Sequence, residues 1–267
     1  MIEGVFYCRN EKIIKGMENL EYNSVRLIMK KNGTDLDQSK FKKIKAELSA
    51  DGIVKLSQFI AKKEVNLIRQ SLMSELKRLK IYENNKIISK ELKNLSHFQQ
   101  IVMLSRVVKQ PKALENYSDI FGEVVFKIFA EKFHFDQQQQ LLLTLPQQEK
   151  WTLNDLKWHV DSHSTAFESL QFFLLIDDIQ SHGGGTLILK GSHHLSERLS
   201  LSQLNSLLSL KNLNQPFDFQ NKKLEIIELT GVQGDVYLMD MRVIHSPAIN
   251  AAKKIRMMAT YRYFQNI

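Results

Sequence analysis

The chain carries one cysteine in 267 residues, Cys8, so it can form no internal disulfide. That excludes the small stapled scaffolds of secreted proteins and suits a reducing compartment. Four prolines leave no proline-rich linker. No run reaches the roughly 18 apolar residues of a membrane-crossing helix. The opening MIEGVFYCRNEK lacks the basic-then-apolar layout of a signal peptide. A cytoplasmic chain with no transmembrane segment is the expectation. No internal repeat is visible, and QQQQ at 137–140 is too short to mark a linker.

What is present is ordinary globular material, 43% hydrophobic and 25% charged. The length supports one large domain with its own core. Basic side chains outnumber acidic ones, 37 to 29. Much of the lysine lies before residue 133, in KKIKAEL, AKKEV and LKRLK. Such an excess favours anionic partners. No basic-aromatic cluster or nucleic-acid module accompanies it, so a solvated lysine surface is expected and nucleic acid is not.

The first half reads as helix after a strand at 52–56. Val65, Ile68, Leu72, Leu76 and Leu79 recur every three or four residues and share one helical face. HFQQIVMLSRVVKQ reads as a second helix stopped near Pro111, which then opens a third through about Lys132. Residues 1–46 form an extension with no evident role, expected to pack on the same domain; VFYCR and SVRLIMKK are possible strands in it. Residues 47–267 form the main domain. Its second half turns to short branched and aromatic runs: ESLQFFLLIDD, GGGTLILKG, KLEIIEL, GDVYLMD and IRMMATYRYF. Helices followed by strands predict an α+β, mainly β chain with antiparallel sheets, a sandwich or jelly roll with helices on one side. Residues 196–221 resemble an insertion with one amphipathic helix, of the kind that forms lids.

KWHVDSH at 157–163 puts two histidines and a carboxylate within seven residues. Read as a strand, it places His159, Asp161 and His163 on one face and Trp158, Val160 and Ser162 on the other. Burying unpartnered imidazole or carboxylate is costly, and a metal ion supplies the partner. His245, just after GDVYLMD, is the candidate third ligand. Imidazole with carboxylate is the ligand set for iron(II), zinc or manganese, and two histidines with one carboxylate form a facial triad with three positions left open. His182, His193 and His194 lie in or beside turns and read as structural or exposed. Any histidine alone is more often a hydrogen-bonded or surface residue than a ligand, and His-x-Asp is a common tripeptide. A zinc hydrolase also uses such ligands, but no nearby glutamate is placed as its base. Eleven residues beyond His245, Arg256 heads an apolar strand. A guanidinium there is fit to grip a carboxylate through two parallel hydrogen bonds, as the distal end of 2-oxoglutarate requires.

Four stretches in order resemble the phytanoyl-CoA dioxygenase-like family of iron(II)/2-oxoglutarate-dependent oxygenases. They are LSADGIVKLSQFIAKKEVNLIRQSL, WHVDSH, FLLIDDIQSHGGGTLILKGSHHL and GDVYLMDMRVIHSPAINAAKKIR. The resemblance covers residues 47–264. It implies a double-stranded β-helix, a cupin-like jelly roll with packed N-terminal helices. It implies His159, Asp161 and His245 as iron ligands and Arg256 as the 2-oxoglutarate anchor. Ser246 and Asn250 are expected to orient His245 and, with Thr144, to lie near the co-substrate. The chain departs from the family at Lys190, where proline is usual, at Thr144, near the place of a common lysine, and at Pro247, where some members have serine. Met257 and Met258 follow Arg256, so no hydroxyl stands beside it.

The implied activity is oxidation of a small organic substrate's C–H bond, with O2 consumed and 2-oxoglutarate converted to succinate and CO2. With Asp161 present, hydroxylation is expected rather than halogenation. The substrate expected is small, and the basic balance admits an anionic one such as an acyl-CoA or a natural-product intermediate. The alternative is a catalytically degenerate member that binds a ligand or partner.

Overall fold

A computed structural model of the chain describes residues 36–136, 139–147, 150–197 and 199–265. The possible strands VFYCR and SVRLIMKK lie outside the described residues. The chain divides into two units, Met1–Lys43 and Ile44–Ile267. A helix, Leu36–Asp51, runs through position 46.

Among the described residues, twelve strands follow one another: β1 (Ile53–Leu56), β2 (Tyr82–Glu83), β3 (Lys86–Ile87), β4 (Phe133–Phe135), β5 (Gln140–Thr144), β6 (Ser169–Leu175), β7 (Leu187–Lys190), β8 (Phe217–Phe219), β9 (Lys222–Glu228), β10 (Val236–Asp240), β11 (His245–Ser246) and β12 (Arg256–Gln265). The larger sheet runs β1-β10-β6-β12-β4, with β5 also paired to β12. The smaller runs β11-β7-β9-β8, and β2-β3 is a separate hairpin. All these pairs are antiparallel. This is the jelly roll the strand-rich half predicts.

The two main sheets bury a shared core. Phe173, Leu175, Tyr237, Met239 and Met258 from the larger meet Ile188 from the smaller. The larger sheet is covered outside by helices. On Tyr117–Phe129, Phe121 stacks on Phe172 at 4.4 Å and meets the edge of Tyr261 at 4.9 Å. Helix His97–Val107 packs on β5. The smaller sheet has a second apolar layer outside it, where Leu187, Leu189 and Ile226 meet Trp158, Leu204 and Leu208.

One expectation for the helices differs from the outcome. Pro111 caps a short 3-10 turn, Lys112–Leu114, rather than opening the long helix. The helix starts afresh at Tyr117 and stops at Ala130 in a left-handed conformation. In 196–221, the amphipathic helix Leu201–Leu208 forms, with Leu204 and Leu208 buried. The segment also supplies β8, which extends the smaller sheet beside β9.

Candidate metal centre

The 157–163 stretch is not a strand. It makes one isolated bridge, His159 with His245, and bends at Asp161. Reciprocal bonds hold the bridge: His159 N to His245 O at 2.9 Å and His245 N to His159 O at 2.8 Å. Asp161 N and Ser162 N both donate to Met241 O, at 3.0 and 2.9 Å. Two polar stretches far apart in sequence are thereby fixed face to face. Side chains still alternate from 158 to 161. Trp158 enters the outer apolar layer with Val160 packed against it, while His159 and Asp161 turn toward His245. The alternation ends at the bend, so His163 leaves the cluster for the wall of a neighbouring cavity.

His159, Asp161 and His245 bring ligand atoms within 4.8 Å of one another. His159 Nε2 lies 3.9 Å from Asp161 Oδ1, and His245 Nε2 lies 3.6 Å from Asp161 Oδ2. Each imidazole faces a backbone carbonyl through Nδ1: His159 with Lys157 O at 2.7 Å and His245 with Val243 O at 3.0 Å. A carbonyl only accepts, so Nδ1 carries the proton and both Nε2 lone pairs point inward. Burial drives the His245 pKa down to about 4, against the opposing pull of Asp161, so at neutral pH the ring is an uncharged ligand. Two imidazoles and one carboxylate fit a divalent iron ion.

Arg256 starts β12 opposite Thr144 of β5. It is buried; Nε donates to Gly184 O at 2.6 Å and Nη1 to Leu142 O at 2.8 Å. Burial lowers its pKa to about 10, with Glu228 and Asp177 opposing, so the guanidinium stays charged at neutral pH. Two carbonyls fix the plane of the guanidinium, and an N–H edge that remains matches a carboxylate in shape and charge.

Alternation along β12 puts Arg256, Met258, Thr260 and Arg262 on one face. Cross-strand register adds Thr144, Leu142, Phe173 and Gln171 to it. Arg262 Nη2 reaches Asp161 Oδ2 at 3.2 Å, so this wall faces the metal site. Thr144 Oγ1, Thr260 Oγ1, Gln171 Oε1 and Arg262 Nε on it are buried with no protein partner. Buried polar groups are ordinarily satisfied. A wall with a cation at its deep end and unsatisfied hydroxyls along it fits a small oxoacid such as 2-oxoglutarate.

Ser246 and Asn250 are buried nearby but do not orient His245, whose Nδ1 is held by Val243 O. Ser246 Oγ donates to Pro247 O at 3.2 Å. Asn250 Nδ2 donates to Thr144 O and Lys254 O, at 2.9 and 2.8 Å, tying β5 to the loop that leads into Arg256. His182, expected to be structural, lies tilted against Trp151, with ring centroids 4.2 Å apart. His193 and His194 both turn Nε2 to Ser49 O.

Sequence reasoning missed Glu228, Gln171 and Arg262. Glu228 accepts from His182 N and Gly185 N, at 2.6 and 2.9 Å, and so holds the glycine turn that receives Arg256. The available signal was parity: Arg262 lies six residues beyond Arg256 on the same strand, hence on the same face.

Beside the centre is a cavity of about 550 Å3, with His159 on its wall and Trp158, Ser192, Leu199 and Leu204 among its other lining residues. The segment after residue 195 forms one side of it. Among the described residues no helix is long and apolar enough to cross a membrane.

A sequence profile of the phytanoyl-CoA dioxygenase (PhyH) family matches residues 48–258. A sequence search of curated proteins finds no match. Among solved structures, the non-heme alpha ketoglutarate dependent epimerase SnoN from nogalamycin biosynthesis is similar at a TM-score of 0.55 and 12% identity, over 85% of this chain and 83% of that one. The carbocyclase SnoK of the same biosynthesis gives 0.55 and 13%, over 88% and 87%. EctD from S. alaskensis, solved with 2-oxoglutarate and 5-hydroxyectoine, gives 0.53 and 18%, over 84% and 75%. These structural likenesses establish the fold, and the profile spans most of the chain. The chain belongs to the phytanoyl-CoA dioxygenase family of iron(II)/2-oxoglutarate-dependent oxygenases.

Proposed function

We propose that this chain hydroxylates a C–H bond of a small organic substrate. His159, Asp161 and His245 hold iron(II), and Arg256 holds the distal carboxylate of 2-oxoglutarate. The observation that carries this reading is the convergence of both Nε2 lone pairs and the Asp161 carboxylate on one point, on the same wall as a buried, charged Arg256. When bound, iron and 2-oxoglutarate supply the oxidation: R–H, O2 and 2-oxoglutarate become R–OH, succinate and CO2.

The chain's own residues bind and orient. The carbonyls of Lys157 and Val243 keep both imidazoles in the ligating tautomer. Gly184 and Leu142 hold the Arg256 plane, and Thr144 and Thr260 offer hydroxyls along the co-substrate. The apolar core around Phe173 and Met258 keeps that end dry. Ser246 serves the packing of β11, and Asn250 serves the placement of Arg256.

Residues 47–267 act as the oxygenase domain. Residues 196–221 border the cavity that His159 lines, and we place the substrate there. A natural-product intermediate, or the acyl end of an acyl-CoA, suits its size class. Epimerase and carbocyclase relatives of this fold make epimerisation or ring closure the second reading. A cytoplasmic site of action accords with the cysteine content.

The test is an anaerobic titration of purified protein with iron(II) and then 2-oxoglutarate, following the visible charge-transfer band of a chelated oxoacid. A band in wild type, lost in His245→Ala and weakened in Arg256→Met, is the expected result. No band and no retained iron would instead favour a ligand-binding member without oxidation chemistry.

A further inference from the structure

Asp161 is the one anionic ligand of the centre, and it has a partner that the proposed triad does not include. Its Oδ2 accepts from Arg262 Nη2 at 3.2 Å. The Asp161 backbone is fixed by Met241 O, but the segment is not a strand, so nothing in the main chain sets the rotation of the carboxylate. Arg262 comes from the opposite wall. It sits on β12, which is hydrogen-bonded on both edges, to β6 across Met258–Phe264 and to β4 from Tyr263 on. A rigid strand therefore offers a guanidinium to one oxygen of a ligand on a bent loop.

The arithmetic of coordination gives that contact its meaning. An octahedral ion has six positions. If His159, Asp161 and His245 held such an ion, a chelating oxoacid would occupy two further positions and leave one open. A carboxylate that rotated to bind through both oxygens would fill it.

Building on the iron reading above, we propose that Arg262 is a positioning residue. Its hydrogen bond to Oδ2 would fix the rotation of the Asp161 carboxylate, so that the ligand meets the ion through a single oxygen. Gln171 stands directly across from Arg262 on β6. Its Oε1 and Arg262 Nε are both buried without partners, so a small turn of either side chain pairs them and braces the guanidinium.

The experiment compares wild type with Arg262→Met, which keeps the bulk of the stem, and Arg262→Lys, which keeps charge without the planar fork. Binding of cobalt(II) and iron(II) is measured by anaerobic calorimetry. Coordination number is read from the intensity of the cobalt(II) visible bands, and circular dichroism checks the fold. The expected result is metal affinity weaker by about 10–100-fold in Arg262→Met, with a smaller loss in Arg262→Lys. With the oxoacid bound, Arg262→Met should show the weaker cobalt bands of a filled site where wild type keeps an open one. If Arg262→Met misfolds, Arg262→Lys alone decides by the band intensities. A folded variant with wild-type affinity and band intensities would overturn the proposal while leaving the iron reading intact. A wild type that binds neither metal would overturn both.

Discussion

Glu228 and Arg256 grip the same glycine turn from different sides. Glu228 accepts the Gly185 N–H, and Arg256 donates to the Gly184 carbonyl. Burial raises the Glu228 pKa, while its N–H donors and Arg256 pull it back. Glu228→Gln sets an amide NH2 against one of those backbone donors. Losing a charged hydrogen bond costs about 1.5–3 kcal/mol. The expected outcome is 2-oxoglutarate affinity lower by roughly tenfold or more with iron affinity unchanged, measured by titrating the charge-transfer band. Parallel loss of both would mean that the turn supports the whole fold rather than the anchor.

Gly184 has φ +80°, and a Cβ there would stand 2.7 Å from Asn250 Cβ. Gly184→Ala therefore meets both backbone strain and a clash with the residue that ties β5 to the Arg256 loop. A loss of about 1–3 kcal/mol in denaturant unfolding is expected, together with weakened 2-oxoglutarate binding. An unchanged midpoint would show that the turn relaxes freely.

Metal binding should stabilise the fold, because the ligand segments are joined by few main-chain bonds. At metal concentrations about 100-fold above Kd, the gain is about 2.7 kcal/mol. Thermal unfolding with iron(II) or cobalt(II) should show a raised Tm that a chelator reverses. In His245→Ala the metal-dependent increment should vanish, whereas a retained increment would place the binding elsewhere.

Acid stability should depend on Asp235, remote from the metal. Burial disfavours its charged form. Hydrogen bonds from Lys55, Gln58 N and Val232 N outweigh that, so its pKa ends below the usual 3.8. A carboxylate with a depressed native pKa stabilises the fold above its unfolded pKa, and the contribution is lost as pH falls through the native value. Asp235→Asn should be less stable than wild type at pH 6, with the gap closing below about pH 3.8. Denaturant midpoints across pH 3–7 check this; a constant gap would assign the effect to packing.

The strands that carry the site were legible because burial on both faces leaves a mark. β6, β10 and β12 read as apolar runs bounded by turn residues, and each formed where expected. His159, Asp161 and His245 were legible as residue types at workable spacing. The strand assigned to 157–163 was not, since a polar stretch held by one bridge looks in sequence like half of a sheet. His163 shows the cost, because parity counts only while the chain stays extended. Glu228 was invisible, and Arg262 overlooked, for another reason. Each is a charged residue within a strand, and only the tertiary pairing tells which faces a ligand and which faces water. Ser246 and Asn250 were expected to orient His245, but their partners depend on loop geometry that spacing does not encode.

β12 also works as a ruler. Arg256 and Arg262 are six residues apart on a strand that neighbours on both sides prevent from sliding, a rise of roughly 20 Å. That interval is well beyond the length of 2-oxoglutarate, so the backbone fixes where the two arginines are rooted and their side chains reach inward from it, Arg262 to Asp161. With iron held at Asp161, a dicarboxylic oxoacid one methylene longer must buckle between the ion and Arg256, at about 1–3 kcal/mol, or 10–200-fold in affinity. Competition between 2-oxoglutarate and 2-oxoadipate for the charge-transfer band measures that selectivity, and equal binding of the two would show that the wall yields.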